Sequence, residues 1–378
     1  MKIIYCIASL ASKGGTEKVL LTKAKYLVDR GYEVTIIISD QKGKPFAYEV
    51  DHRIKIIDLK LSQVLKSNIK GVSFILNIFK LRKIYQNLFT IINPDFIIVL
   101  EKGYEDFVVP YINKNIPKIR EYHTSRKANI FFESELDFKN KLKSKLIRFF
   151  YENQYKKYDA FVCLTHKDKL SWNHLRNVSV IPNIIDEKSN LNSTLILDRP
   201  KKLIAVGSMV QDRKGFHELI TIWANIEKDY KNWTLHIFGD GPYRKFYENQ
   251  IKKLNCNNRI FLEGITNNIQ EKYQQSQIFL MTSKGEGFSL VIVEAQQNGL
   301  PVVVYDCNSG PSDIIQNNFG GYLIPMGNKK VFKEKLKALL DSDEFRKEKS
   351  KEAELNAMKF TPTKIIPLWE DLFNTLLK

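Results

Sequence analysis

The feature that most limits how this chain can fold is an alternation of short strand-like runs with longer stretches of helical periodicity, interrupted once and then begun again. Before residue 190 the strand-like runs fall at 3–8, 34–39, 54–59, 96–100, 118–122, 160–164 and 178–181. After it they fall at 202–206, 234–239, 260–263, 278–282, 301–305 and 321–324. The first pair is already a complete βαβ unit. A buried strand leads into the turn Gly14-Gly15-Thr16-Glu17, a helix runs through Leu20, Leu21, Ala24 and Leu27 to Arg30-Gly31, and a second strand follows. Alternation of this kind predicts parallel sheets covered by helices on both faces. Two such sheets are expected, because the chain turns polar after Ile181-Pro182-Asn183, through 186–192 and again at Asp198-Arg199-Pro200, before the pattern restarts. The expected division is residues 1–183, residues 184–360, and a last helix in 361–378. That helix carries Ile366, Trp369, Leu372, Phe373 and Leu376 at helical spacing and should dock on the body by that face.

Composition permits this plan. A chain of 378 residues has room for two domains, and 43% hydrophobic residues can fill two cores. The N-terminus lacks a cleavage site and runs directly into a glycine turn, so it does not read as a signal segment. No apolar stretch of about 18 residues occurs, which argues against a membrane span. Cys6, Cys163, Cys256 and Cys307 are widely spaced with no metal-like pairing, and a reducing cytoplasm is expected. The net charge of +17 accompanies a general richness in Lys, Asn and Ile. Its placement matters more than its size. Lys66, Lys70, Lys80, Arg82 and Lys83 punctuate one apolar segment, while Lys139, Lys141, Lys143, Lys145 and Arg148 accompany Phe138, Leu142, Leu146 and Phe149. Basic amphipathic helices like these suit an anionic membrane surface, although a plain solvated face has the same pattern.

Glu286 and Glu294 lie in Ser283-Lys284-Gly285-Glu286-Gly287-Phe288-Ser289-Leu290-Val291-Ile292-Val293-Glu294-Ala295. At about 3.6 residues per turn, a gap of eight returns to within roughly 80° of the same helix face. The first glutamate follows a strand-like run, and the second falls where a helix should be under way. Amides at a helix start suit phosphate. Carboxylates on either side would then hold hydroxyls of two different groups, as a sugar nucleotide requires. Two glutamates at this spacing are common in charged chains, but Gly285 and Gly287 allow close backbone approach, and Gly299-Leu300-Pro301 and Ser309-Gly310-Pro311-Ser312-Asp313 are further turns beside strands. Loops at successive strand ends are where open parallel sheets bind ligands. Gly14-Gly15 lacks the full GxGxxG spacing, which disfavours a nicotinamide-binding enzyme.

In order along the chain, Gly14-Gly15-Thr16-Glu17, Ile181-Pro182-Asn183, Lys214-Gly215, Gly239-Asp240-Gly241-Pro242, Glu286 through Glu294 and Gly310-Pro311-Ser312-Asp313-Ile314-Ile315 resemble the retaining glycosyltransferases of family 4. The resemblance spans most of the chain and is strongest over 205–325. It implies the GT-B fold, an α/β architecture of two Rossmann-like doubly wound parallel-sheet domains facing across a cleft. The first domain would bind acceptor and the second the nucleotide sugar. By the same resemblance Glu286 would hold the transferred sugar, Glu294 the ribose, and the amides of Gly287, Phe288, Ser289 and Leu290 the diphosphate. Lys214 would neutralise the leaving group, and His123, in Glu121-Tyr122-His123-Thr124, would stand at the sugar-transfer site. Gly14, Gly15, Ser208, Arg213 and Gly239 complete the implied donor site. One departure stands out: where the family often carries arginine after the glycine matching Gly207, this chain has Ser208, which leaves Arg213 to supply that charge from a different place.

The resemblance further implies front-face transfer with retention, in which a donor phosphate oxygen takes the acceptor's proton, and no metal cofactor. A covalent route through Glu286 is the alternative. The implied substrates are a UDP-linked hexose or N-acetylhexosamine and a lipid-linked bacterial surface glycan such as capsule or lipopolysaccharide. A UDP-sugar 2-epimerase or a phosphorylase would share the architecture, but the additional acidic and histidine residues of an epimerase are not identifiable. A basic nucleic-acid-binding protein would need stacking aromatics interleaved with Arg in a known module, and none is visible.

Overall fold

The structure, a computed structural model, describes residues 1–65, 72–187 and 195–378. It divides into two compact units. The first comprises Met1–His123, Ile130–Asp186 and Pro362–Lys378; the second comprises Thr124–Asn129 and Glu187–Thr361.

In the first unit the strands are β1 (Lys2–Ile7), β2 (Glu33–Ile38), β3 (Lys55–Asp58), β4 (Phe96–Val99), β5 (Lys118–Tyr122), β6 (Ala160–Cys163) and β7 (Val178–Val180). They form one sheet in the order β3-β2-β1-β4-β5-β6-β7, and every pairing is parallel. In the second unit β8 (Lys202–Val206), β9 (Thr234–Phe238), β10 (Ile260–Gly264), β11 (Ile278–Met281), β12 (Val302–Asp306) and β13 (Gly321–Pro325) pair in the order β10-β9-β8-β11-β12-β13. These too are all parallel. Each strand expected from the sequence forms, with its ends within one residue of the expected position.

Parallel strands need crossover helices, and those helices cover both faces of the sheet. In the first unit Ile4, Cys6, Ile97 and Val99 pack with Leu81, Tyr85 and Phe89 of the helix Val72–Ile92. In the second, Leu203, Leu235, Ile278 and Val303 pack with Trp223, Phe332 and Leu336. The final helix, Pro362–Leu376, buries Ile366, Trp369 and Phe373. Phe373 stacks on Phe96 at 4.6 Å between ring centroids, so the end of the chain completes the core of the first unit.

Helix Phe138–Tyr155 behaves differently. Its apolar residues Phe138, Leu142, Leu146, Phe149 and Phe150 are exposed, Phe138 at 83%. Lys66 and Lys70 of the other basic segment lie outside the described residues, as do 188–192 of the expected linker, while Ile184 and Ile185 just before it are buried. Cys6, Cys163, Cys256 and Cys307 are all buried free thiols. No helix among the described residues is long and apolar enough to cross a membrane.

Candidate active site

Each sheet reverses its strand order once, between β1 and β4 in the first unit and between β8 and β11 in the second. At such a switch point the loops leaving two adjacent strands diverge to opposite faces and leave a crevice beyond the strand ends. In the second unit these loops carry Lys214 and Glu286. The two residues are 72 positions apart in sequence, yet Lys214 Nζ donates to Glu286 Oε1 at 2.7 Å. The pair is partly shielded, with side-chain exposures of 25% and 10%.

The loops that carry this pair are cross-braced. Thr282 Oγ1 donates to the Gly215 carbonyl at 2.8 Å, and Lys284 N to the Arg213 carbonyl at 2.9 Å. Lys284 Nζ meets Asp212 at 3.0 Å, while Tyr247 OH donates to the other oxygen of Asp212 at 2.9 Å. The short helical turn Asp212–Lys214 is therefore held from both sides. Gly207, at the end of β8, sets the path of the lysine: a Cβ there would stand 2.7 Å from Lys214 Cγ. Gly239 serves the same loop from β9. Its φ is +134°, and a Cβ would fall 1.9 Å from the Gly207 carbonyl oxygen. Ser208 and Arg213 are both exposed on these loops.

Glu286 lies in the loop after β11, four residues before the helix Leu290–Gln297, and only Glu294 is on that helix. The two glutamates therefore do not share a helix face, and turn arithmetic does not relate them. The loop is instead fixed by Ser309 Oγ, which donates to the Glu286 carbonyl at 2.7 Å. Ser289 caps the helix in the left-handed region, φ +76° and ψ +59°, a strained conformation for a residue with a side chain. Strain of this kind marks a backbone shaped for something other than its own stability. The next amides open a helix and lack intrahelical acceptors. The Phe288 ring is buried against Phe360, so only its backbone is available to a ligand. Glu294 is buried and accepts from Tyr273 OH at 3.3 Å; burial and then the Glu294 charge push the Tyr273 phenol well up. Burial, followed by the Glu286 charge, pushes the Cys307 thiol up to about 12, so it is not a nucleophile.

In the first unit the loops leaving β1 and β4 line a cavity of about 130 Å³, with Ala8, Glu101, Lys102, Gly103 and Tyr104 in its wall. Gly14 precedes the helix Gly15–Asp29, and a Cβ on it would lie 2.3 Å from a carboxylate oxygen of Glu17. A Cβ on Gly15 would meet only open space. Burial raises the Glu17 carboxyl above its usual range, assisted by Glu101. His123 follows β5, its side chain only 6% exposed, with Nε2 lying 3.1 Å from Glu121 Oε1.

Sequence reasoning gave no role to Ser309, Tyr273, Lys23 or Glu121, although Ser309 and Glu121 stand in segments it singled out. The last was signalled by Lys118, Arg120 and Glu121 falling in a strand of a buried sheet, where charges persist only when paired. Arg120 is indeed paired with buried Asp106 at 2.8 Å.

Two all-parallel sheets, each with a switch point, and a braced lysine–glutamate pair at the second one fit the architecture of a GT-B glycosyltransferase. A family model described as Glycosyltransferase Family 4 matches residues 13–189, and one described as Glycosyl transferases group 1 matches residues 186–356. Together the two models span residues 13–356, and the chain is a glycosyltransferase of the GT-B fold. It is similar to the amylovoran biosynthesis glycosyltransferase AmsD of Erwinia amylovora, 26% identical over 380 residues and 99% of each chain. It is also similar to a Campylobacter jejuni enzyme named GalNAc-alpha-(1->4)-GalNAc-alpha-(1->3)-diNAcBac-PP-undecaprenol alpha-1,4-N-acetyl-D-galactosaminyltransferase, 24% identical over 371 residues, 98% of this chain and 97% of the other. Among solved structures, a Staphylococcus aureus TarM mutant in complex with Fondaparinux, alpha-GlcNAc-glycerol and UDP shares the fold, with a TM-score of 0.78 at 18% identity over 99% of both chains.

Proposed function

We propose that this glycosyltransferase moves a hexose or N-acetylhexosamine from a UDP-linked donor, with retention, to a growing lipid-linked bacterial surface glycan. The observation that carries the proposal is the Lys214–Glu286 pair at the β8/β11 switch point, next to the strained Ser289 turn and the start of the helix Leu290–Gln297. Breaking the sugar–phosphate bond sends an electron pair to the diphosphate and leaves positive charge on the anomeric carbon. A fixed ammonium and helix-start amides stabilise that leaving group without reorganising.

An ammonium has three donors, and Glu286 takes one. In this proposal the others meet the diphosphate, and the second Glu286 oxygen holds hydroxyls of the transferred sugar. Gly287, Phe288, Ser289 and Leu290 supply amides, and Glu294 holds the ribose. Gly14, Gly15, Ser208 and Gly239 give backbone room, with Arg213 as the additional cation. His123 contacts the transferred sugar. The acceptor oxygen attacks from the face the diphosphate leaves, and its proton passes to a diphosphate oxygen, so no enzyme carboxylate acts as base. Protein cations and amides meet the developing charge, and the proposed reaction uses no metal.

The relatives support the acceptor class: one name specifies amylovoran and another an undecaprenol-linked glycan, while UDP accompanies TarM. The exposed apolar and basic side chains of helix Phe138–Tyr155 support work at the cytoplasmic face of an anionic membrane. The test is release of UDP or GDP from a panel of nucleotide sugars, with and without lipid-linked acceptor and with and without EDTA. Acceptor-dependent UDP release that survives EDTA is expected; release of GDP only, or loss of activity with EDTA, would overturn the donor or the metal-free reading respectively.

A further inference from the structure

The most unusual arrangement outside the donor loops is a row of buried charge beneath His123. Residues 121 and 123 are two apart at the end of β5, and in a strand such residues point to the same side. Glu121 sits under the imidazole with its Oε1 3.1 Å from His123 Nε2. Its other oxygen meets Lys23 Nζ at 2.5 Å, and the Lys23 and Glu121 side chains are 1% and 2% exposed. Behind Lys23, the ammonium lies 4.0 Å from the Trp369 ring centroid and 5.0 Å from that of Tyr5. Three elements distant in sequence thus meet around one ion pair: the first helix, strand β5 and the C-terminal helix. A hydrophobic pair would fill this space at lower desolvation cost, so the charges call for a reason beyond stability.

We propose that Lys23 and Glu121 are positioning residues of the transfer site, a clamp that sets the orientation and tautomer of His123. This rests on the placement of His123 at the transfer step. Nε2 lies 3.1 Å from the carboxylate without the alignment of a hydrogen bond, so Glu121 acts through its charge: it favours the proton on that nitrogen and leaves Nδ1 as the acceptor for a sugar hydroxyl. Lys23 balances the carboxylate, so that Glu121 orients the ring without also drawing a second proton onto it. Glu17, on the same helix as Lys23, also acts on His123, and Glu101 acts on Glu17 in turn. Trp369 closes the clamp and couples the last helix of the chain to it.

The test uses the full chain. Ring-nitrogen NMR follows the titration of His123, its signal identified by loss in His123→Gln, alongside the pH dependence of kcat/KM for UDP-sugar turnover. In Lys23→Met the carboxylate loses its balancing cation and His123 loses a nearby positive charge; both changes favour the imidazolium. The ring-nitrogen signals of His123 should move toward those of the doubly protonated ring at fixed pH, and the acid limb of the rate profile should shift with them. Lys23→Met/Glu121→Gln, neutral and nearly isosteric, should bring the signals back toward the neutral ring and keep the test available should the single variant not fold. In that double variant kcat should fall by a larger factor than KM rises, because one sugar contact is misplaced at the transfer step while the other donor contacts remain. Unchanged His123 signals in both variants would overturn the clamp. Signals that move while the rate profile does not would overturn the placement of His123 at the transfer step and leave only the charge coupling.

Discussion

Replacing Lys214 by alanine tests the proposed donor chemistry most directly. The ammonium is held by Glu286 at 2.7 Å, and its stem lies over Gly207. In the proposed complex it faces the departing diphosphate. A unit charge about 4 Å from that group is worth about 4 kcal/mol at an effective dielectric of about 20. The side chain is 25% exposed, which screens part of this. About 3 kcal/mol remains, close to the loss measured when one preorganised donor is removed from an active site. At about 1.4 kcal/mol per factor of ten, turnover should fall at least ~100-fold. Stability should change by no more than about 1 kcal/mol, because the lysine fills no core and water can reach Glu286 in the vacated space. The assay pairs UDP release under saturating donor with a thermal melt of the same preparation. Undiminished turnover in a folded Lys214→Ala protein would refute the proposal, and a collapsed melting temperature would show that the pair serves the fold.

Glu294→Ala should weaken UDP binding in calorimetry and raise KM more than it lowers kcat, since a ribose contact acts equally in ground and transition states; unchanged affinity would remove it from the donor site. Gly239→Ala places a methyl 1.9 Å from the Gly207 carbonyl at a φ of +134°, and should cost about 1–3 kcal/mol in urea unfolding as well as turnover. Burial alone would raise the Glu121 carboxyl, but Lys23 and then His123 hold it at about 2, below its ordinary 4.5. A depressed carboxyl stabilises the fold above its unfolded value and loses that contribution as pH falls through the folded one. Unfolding free energy should therefore drop between about pH 4.5 and 2, less steeply in Lys23→Met/Glu121→Gln. Exchanging Lys139, Lys141, Lys143 and Lys145 for glutamine should weaken co-sedimentation with anionic vesicles, each lysine contributing about 1 kcal/mol at most. Turnover on a soluble acceptor should be untouched, and a wild type that ignores vesicles at low salt would end the membrane proposal.

Local pattern was enough for the sequence alone to determine the strands, the helices between them, and the glycine turns at their ends. Apolar periodicity reports the burial of a single element, and glycines mark where its backbone must turn, so both can be read a few residues at a time. The restart at 202 likewise announced a second sheet. Which strand ends adjoin is a different kind of information. The order β10-β9-β8-β11-β12-β13 brings the loops of Lys214 and Glu286 together, and no local periodicity encodes that order. Tertiary structure also placed Glu286 in a loop instead of on the helix of Glu294, forced Ser289 into the left-handed region, and left Phe138 exposed in a helix whose periodicity alone would have suited burial. The buried Lys23–Glu121 pair shows the limit most clearly. A lysine on an amphipathic helix reads as ordinary surface charge, and a glutamate in a buried strand signals only that it has some partner; the packing of three remote elements takes both out of water and sets them against His123.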